Sequence, residues 1–184
     1  RPVLKLKLGG QGDIERLQAV RAGAPATTIV VDANEGWSAS EYQALALVLI
    51  KLGVTMVEQP LPAAADDFLS ELQRPLPVCA DESCHDSSSL DLLRGKYDMI
   101  NIKLDKTGGL TEALRVKQRA AELGFGIMVG CMIGSSLAMA PAILVAQGVE
   151  LVDLDAPLLL AEDRQSPLRI NGSVIQPPQK NLWG

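Results

Sequence analysis

The chain has 184 residues, 47% of them hydrophobic and 21% charged, so it carries enough apolar material to bury one core. Its formal net charge of −5, with no Lys/Arg cluster, argues against a nucleic acid or an anionic membrane surface as partner. The longest apolar stretches, 45–50 and 143–146, fall far short of the ~20 residues that cross a bilayer.

In chain order, Val3–Leu8 is the first strand candidate. The opening Arg1-Pro2-Val3 already reads as mid-strand and has no methionine or signal-like start, so an N-terminal portion is expected to be missing. From Asp13 onward, Ile14, Leu17 and Val20 fall on one helical face. Thr28–Asp32 is a β-branched strand. Ser38 and Glu41 then have the spacing of a capping box and open an apolar-rich helix that stops at Gly53. Thr55–Glu58 and Val78–Asp81 follow as strands, and Ser88–Leu93 as a short helix ended by Gly95. Met99–Lys103 is a strand, Thr111 opens the helix Glu112–Leu123 before Gly124, and Gly126–Gly130 and Leu151–Asp155 are the last strands of the series. Beyond Pro157 the alternation breaks. Leu168–Gln176, with Asn171-Gly172 at its middle, reads as a hairpin with a type I′ turn, followed by a Pro-rich tail.

Strands alternating with helices predict βα units and a parallel sheet. With no dinucleotide fingerprint after the first strand, a closed barrel is favoured over an open doubly wound sheet. A full (β/α)₈ barrel needs ~250 residues, so this is an α/β chain forming most of a modified TIM barrel. Residues 1–160 carry the strands and intervening helices, and 161–184 form a C-terminal hairpin and tail of the same domain.

The residues that end the apolar runs are the informative ones. They are Lys7, Asp32, Glu58, Asp81, Lys103, Gly130 and Asp153-Leu154-Asp155, at intervals of about 25 residues, or one βα unit. In a barrel the C-terminal strand ends meet in one ring, where barrel enzymes place their active sites. Asp32, Glu58 and Asp81, from consecutive strands, then converge as three hard oxygen ligands suited to Mg²⁺. Taken singly, each acid could equally be a helix cap or a solvated loop acid; the unit spacing of all three carries the reading. Lys7 and Lys103 flank the acid-bearing strands and are read as two acid/base groups on opposite sides of a reacting carbon. Lys5 shares the strand face of Lys7 by the period-2 rule. Alone, Lys5-Leu6-Lys7 could also be a solvated edge pattern. Cys79, Cys84 and Cys131 make an odd count without CxxC spacing, so neither a disulfide framework nor a zinc site is expected and a cytoplasmic setting is the default. The single His85 lies in a polar run and reads as a solvated loop residue.

Lys5-Leu6-Lys7, Val31-Asp32-Ala33-Asn34, Glu58-Gln59-Pro60, Ala80-Asp81-Glu82-Ser83 and the stretch from Asn101 to Gly109 together resemble the muconate-lactonizing-enzyme subgroup of the enolase superfamily. The resemblance runs from residue 1 to about residue 160 and implies a (β/α)₇β barrel whose N-terminal capping domain this chain lacks. Met128-Val129-Gly130-Cys131-Met132 and Asp153-Leu154-Asp155 look like those of dipeptide epimerases, L-Ala-D/L-Glu epimerases in particular.

That resemblance implies an Mg²⁺-dependent isomerase that epimerises dipeptides by two-base 1,1-proton transfer through an enediolate, in murein peptide metabolism. Lys7 and Lys103 are implied as the proton acceptor and donor, and Asp32, Glu58 and Asp81 as metal ligands. Lys5 is implied to contact the substrate carboxylate, Cys131 to line the pocket, and Asp153 with Asp155 to bind the dipeptide ammonium. Placed on one strand face, two such carboxylates make an attractive cation site. Cys131 could instead be a small buried hydrophobe. Two other readings stay open. One is an o-succinylbenzoate synthase or muconate cycloisomerase reaction on the same site; the other is a non-catalytic ligand-binding barrel. The dipeptide's side chain, the lysine serving each enantiomer, and homo-oligomerisation are not legible.

Overall fold

The computed structural model describes residues 1–183. Its backbone gathers into two compact units. The first is Arg1–Ser83 with Asp91–Met99, and the second is Cys84–Leu90 with the chain from Ile100 onward. Strands and helices alternate through β1 (Val3–Lys7), α1 (Asp13–Gly23), β2 (Thr28–Asp32), α2 (Ala39–Lys51), β3 (Val54–Glu58), a 3₁₀ stretch (Ala63–Ser70), β4 (Val78–Ala80), α3 (Leu90–Leu93) and β5 (Met99–Ile102). They continue through α4 (Leu104–Thr107), α5 (Leu110–Leu123), β6 (Gly126–Val129), α6 (Ser136–Val145), β7 (Leu151–Val152), a 3₁₀ turn (Ala156–Leu159), β8 (Ile170–Asn171) and β9 (Val174–Ile175). The α/β class read from the sequence is borne out. No helix among the described residues is long and apolar enough to cross a membrane.

In the first unit β1 pairs parallel with β2, β2 with β3 and β3 with β4. The Asp98 N–H donates to the Val78 carbonyl at 2.9 Å, which brings the approach to β5 alongside β4. In the second unit the Gly130 N–H reaches the Ile102 carbonyl at 3.0 Å, setting the end of β6 beside that of β5, and β6 pairs parallel with β7. Val30 and Val31 point to opposite faces of β2, yet both are buried, as expected of a parallel sheet covered on its two faces.

One irregularity sets the alignment of the strand ends. Ile29 pairs with Val54 but Val30 pairs with Met56, so β3 carries one extra residue, Thr55, whose hydroxyl donates to the Ile29 carbonyl at 3.2 Å. Because side chains alternate with period 2, this bulge decides which β3 side chain stands level with Asp32. Without it Asp32 would face Val57; with it, Asp32 pairs with Glu58.

Helix ends follow from local chemistry. The capping box at α2 is present: Glu41 N–H donates to Ser38 Oγ at 3.3 Å and Ser38 N–H to Glu41 Oε2 at 2.7 Å. Helix α1 begins on Asp13, which is buried rather than solvent-facing. Its Oδ2 accepts the Gly9 and Gly10 N–H groups at 2.9 and 3.0 Å and the Trp37 indole N–H at 3.0 Å, while Oδ1 accepts from Arg16 at 2.8 Å. Burial alone would raise the Asp13 carboxyl, but these four donors hold it below its ordinary value. A depressed carboxyl stabilises the fold above its unfolded pKa and loses that contribution as pH falls through the lower folded value. Asp13→Asn is therefore expected to cost about 1–3 kcal/mol at pH 7, by denaturant unfolding, with the difference from wild type shrinking below about pH 4.

Several expectations shift. The strand candidates ending at Asp81, Lys103 and Gly130 each stop one residue earlier, at Ala80, Ile102 and Val129. The hairpin's two-residue loop is Gly172-Ser173, since Asn171 pairs with Val174. Only Gly172 of the two has positive φ (59°), which excludes type I′ and fits the glycine-first pattern of type II′. Helix α6 was not expected. Pro141 sits inside it, and a proline there removes one rung of the hydrogen-bond ladder and reads in sequence as a breaker.

Candidate metal centre and acid–base site

The parallel register carries the ends of β1, β2 and β3 to one level: Lys7 opposite Asp32, and Asp32 opposite Glu58. Glu58 in turn pairs with Cys79, and Asp81 follows directly after the end of β4. One oxygen from each of Asp32, Glu58 and Asp81 lies within 4.8 Å of the others. The three residues are 0%, 0% and 2% exposed.

Three buried carboxylates repel one another and call for cations. Lys5, with its side chain 16% exposed, sets Nζ 3.1 Å from Asp32 Oδ2 and 2.7 Å from Glu58 Oε2. Lys7, 64% exposed, reaches the same Asp32 oxygen at 2.6 Å and donates to Asn34 Oδ1 at 2.8 Å. The two lysines thus share one strand face, and Lys5 lies against the acids. Asp32 Oδ1 also accepts the Asn34 N–H at 3.0 Å, and the Asn34 side-chain amide donates to Glu82 at 3.2 Å. Burial pushes the Glu58 carboxyl up to about 7; Lys5 opposes that, while Asp32 and Asp81 add to it.

These observations meet the requirements of a hard divalent cation: an all-oxygen donor set, deeply buried, with an ammonium already standing between two of its members. Asn34, Glu35 and Gln59, which follow the acids of β2 and β3, have φ of 43°, 64° and 35°. Non-glycine residues pay about 1–2 kcal/mol in this left-handed region, so the surrounding structure must hold these turns in place.

The second unit gathers the remaining candidates. Lys103, 8% exposed, sets Nζ 4.0 Å from Met132 Sδ. The half-buried Cys131 donates from Sγ to the Asp153 carbonyl at 3.3 Å. Burial raises the Cys131 thiol, the Ala156 N–H counters this, the charges of Asp153 and Asp155 raise it further and that of Lys103 lowers it. Gly130 is required by a close approach, because a Cβ there would stand 2.7 Å from Asn101 Oδ1.

One placement is corrected. Strand β7 ends at Val152, and Asp155 has φ −93° and ψ 4°, outside the extended region. Asp153 and Asp155 therefore do not share a strand face. The chain is already turning into the Pro157-containing 3₁₀ turn, leaving Asp153 half-buried, Leu154 buried and Asp155 exposed. His85 is exposed on its loop, as read from the sequence.

Sequence reasoning assigned no role to Asn34, Gln59, Asp66, Glu82, Tyr97 or Met132. Asn34, Gln59 and Glu82 each adjoin or nearly adjoin an acid of the group, a signal that was available; Asp66 and Tyr97 carry no spacing signal at all.

Parallel strands that bring three buried carboxylates from successive strand ends to one point, beside a lysine pair, define a group that could hold a metal ion. Residues 2–181 match the enolase C-terminal domain-like family, and the chain belongs to it. It is 46% identical over 183 residues to an N-acetyl-D-glutamate racemase from Pseudoalteromonas sp., covering 100% of this chain and 58% of that protein. It is 48% identical over 167 residues to the L-Ala-D/L-Glu epimerase of Escherichia coli K12, covering 91% and 52%. A solved structure from Agrobacterium tumefaciens aligns with a TM-score of 0.98 and 54% identity over 100% of this chain and 56% of that one. That protein is an enolase family member with homology to dipeptide epimerases, holding sodium and L-Ala-L-Glu. The chain thus spans about half the length of the curated relatives it matches.

Proposed function

We propose that the full-length protein is an Mg²⁺-dependent isomerase that inverts the α-carbon of the glutamyl residue in L-Ala-D/L-Glu-type dipeptides, by two-base 1,1-proton transfer. The observation carrying this reading is the group formed by Asp32, Glu58 and Asp81, buried and within 4.8 Å, with the Lys5 and Lys7 ammoniums on its Asp32 oxygen. The likeness to an L-Ala-D/L-Glu epimerase supports the substrate.

When bound by the three acids, Mg²⁺ supplies positive charge that makes the α-proton of a nearby carboxylate removable. The chain's own residues do the rest. One of Lys7 and Lys103, as the neutral amine, takes the α-proton of the C-terminal residue; the other, as the ammonium, returns a proton to the opposite face. Lys7 is exposed enough for a substrate to reach, and its contact with Asn34 orients its stem. Lys5 neutralises part of the acidic group, and the family resemblance gives it a contact with the substrate carboxylate. Cys131 lines the pocket, and Asp153 and Asp155 contribute negative charge for the dipeptide ammonium. A cytoplasmic role in murein peptide turnover, with a capping domain over the site, follows the same resemblance.

A second reading has its own support in the similarity to an N-acetyl-D-glutamate racemase. The two substrates share one chemistry, since the glutamate of L-Ala-Glu is itself N-acylated; they differ in the ammonium. Proton NMR in D₂O with the full-length protein separates the readings. With L-Ala-L-Glu and Mg²⁺, the glutamyl α-signal is expected to vanish as the epimer appears, with neither change under chelator. N-acetylglutamate turning over at least as well as the dipeptide would favour the racemase reading. If neither substrate exchanged its α-proton or turned over, the lyase, cycloisomerase and ligand-binding readings would be favoured over both.

A further inference from the structure

We infer that Gln59 is the positioning residue of the carboxylate group, setting the spacing of the strand ends that carry Asp32, Glu58 and Asp81; the inference rests on the metal-binding reading above. Gln59 is fully buried and reaches all three strand ends. Its main-chain N–H donates to the Cys79 carbonyl at 2.9 Å, and its carbonyl accepts the Glu35 N–H at 2.9 Å. Its side-chain Oε1 accepts the N–H groups of Asp81 at 2.9 Å and Ser83 at 3.2 Å. One residue therefore joins the end of β3 to the turn after β2 through its main-chain carbonyl and to the turn after β4 through its side chain.

The orientation of that amide is fixed from behind. Nε2 stands 2.9 Å from the Leu61 carbonyl and 2.8 Å from both Ser83 Oγ and Tyr97 OH. Those two hydroxyls can donate to Asp66 Oδ2, at 2.6 and 3.0 Å, so their lone pairs face the amide. Lys96 donates to the other Asp66 oxygen at 2.6 Å. The chain of donors runs one way, so NH₂ must face the hydroxyls and Oε1 must face Asp81. Glutamate would turn an acceptor toward the Leu61 carbonyl, and leucine would leave the buried Asp81 N–H and the half-buried Ser83 N–H without this acceptor. The left-handed φ of Gln59 (35°) agrees with a residue held by its partners rather than by local preference.

The test is Mg²⁺ binding to the full-length protein by calorimetry without substrate, with turnover measured against Mg²⁺. Gln59→Leu is expected to weaken Mg²⁺ about 10–100-fold, and Tyr97→Phe about 3–10-fold, as losses of outer-shell support do. Turnover at saturating Mg²⁺ should recover to within about threefold, placing the defect in metal affinity and not in kcat. Asp13→Asn is the control: it loses stability yet keeps wild-type Mg²⁺ affinity, which separates positioning from general weakening of the fold. A folded Gln59→Leu with wild-type affinity overturns the inference. If Gln59→Leu does not fold, Tyr97→Phe with wild-type affinity overturns it equally. A wild-type protein that binds no divalent cation overturns the metal reading and this inference with it.

Discussion

Lys7→Ala and Lys103→Ala, made separately in the full-length protein, are each expected to lower epimerisation about 10²–10⁴-fold, the range that a positioned proton-transfer group contributes. The informative outcome is the pattern of isotope exchange. A two-base enzyme deprotonates one epimer with one lysine and the other epimer with the second. Each variant should therefore wash solvent deuterium into one epimer and not the other, with the two variants showing opposite preferences. Equal exchange into both epimers by either variant would rule out the two-base assignment. If Lys103→Ala turned over like wild type, the acid/base pair would have to be sought elsewhere. The partners of Lys7, Asp32 at 2.6 Å and Asn34 at 2.8 Å, predict a further effect. Lys7→Ala removes an ammonium from the acidic group, so it should also alter metal affinity.

The second large effect concerns Glu58 and combines pH with metal. Burial raises its carboxyl from 4.5 to about 7, so the fold holds a proton there that the unfolded chain has released. Between those values the native state binds more protons than the unfolded one, and stability falls as pH rises. Under chelator, melting should therefore drop from about pH 4.5 to about pH 7 by on the order of 1–3 kcal/mol in stability. Mg²⁺ should remove this trend, because a cation compensates the ionised group, and should add about 2.7 kcal/mol at a hundred times its Kd. Glu58→Gln reverses the signs. Under chelator at pH 8 it should be as stable as wild type or more so, since it relieves a buried like-charge group. With Mg²⁺ it should be the less stable of the two, with affinity lowered at least about 10²-fold, beyond the usual cost of an outer-shell change. Thermal melts of both proteins across pH 5–8, with and without Mg²⁺, check each sign. A wild type indifferent to Mg²⁺ at every pH would dispose of the metal centre.

The reach of sequence reasoning is clearest at particular residues. Spacing alone singled out Asp32, Glu58 and Asp81, because βα units repeat with a near-constant length and a charge at the end of a buried strand stands out against its apolar run. The same logic picked Lys7 and Lys103. It failed at Asp153 and Asp155, where a period-2 argument was applied past the true end of β7. Nothing in a list of residues marks where a parallel strand stops; here a proline two residues beyond Asp155 and the start of a 3₁₀ turn decided it. Helix α6 escaped because Pro141 has opposite meanings in a lone segment and in a packed one. The family was legible in five short motifs, and the comparisons agree with it.

The sequence by itself determined the alternation of strand and helix, the capping box of α2, and the acids at unit intervals. These are local or periodic properties, and local chemistry suffices to specify them. Only tertiary structure decided that Asp32 stands opposite Glu58, because that depends on a single extra residue, Thr55, absorbed between β2 and β3. It also decided that Gln59, Tyr97 and Asp66 meet behind Asp81, since residues 31 positions apart become neighbours only after strands pair and their turns are fixed. Hydrogen bonds between such distant groups leave no trace in periodicity, and they determine whether three acids form one group.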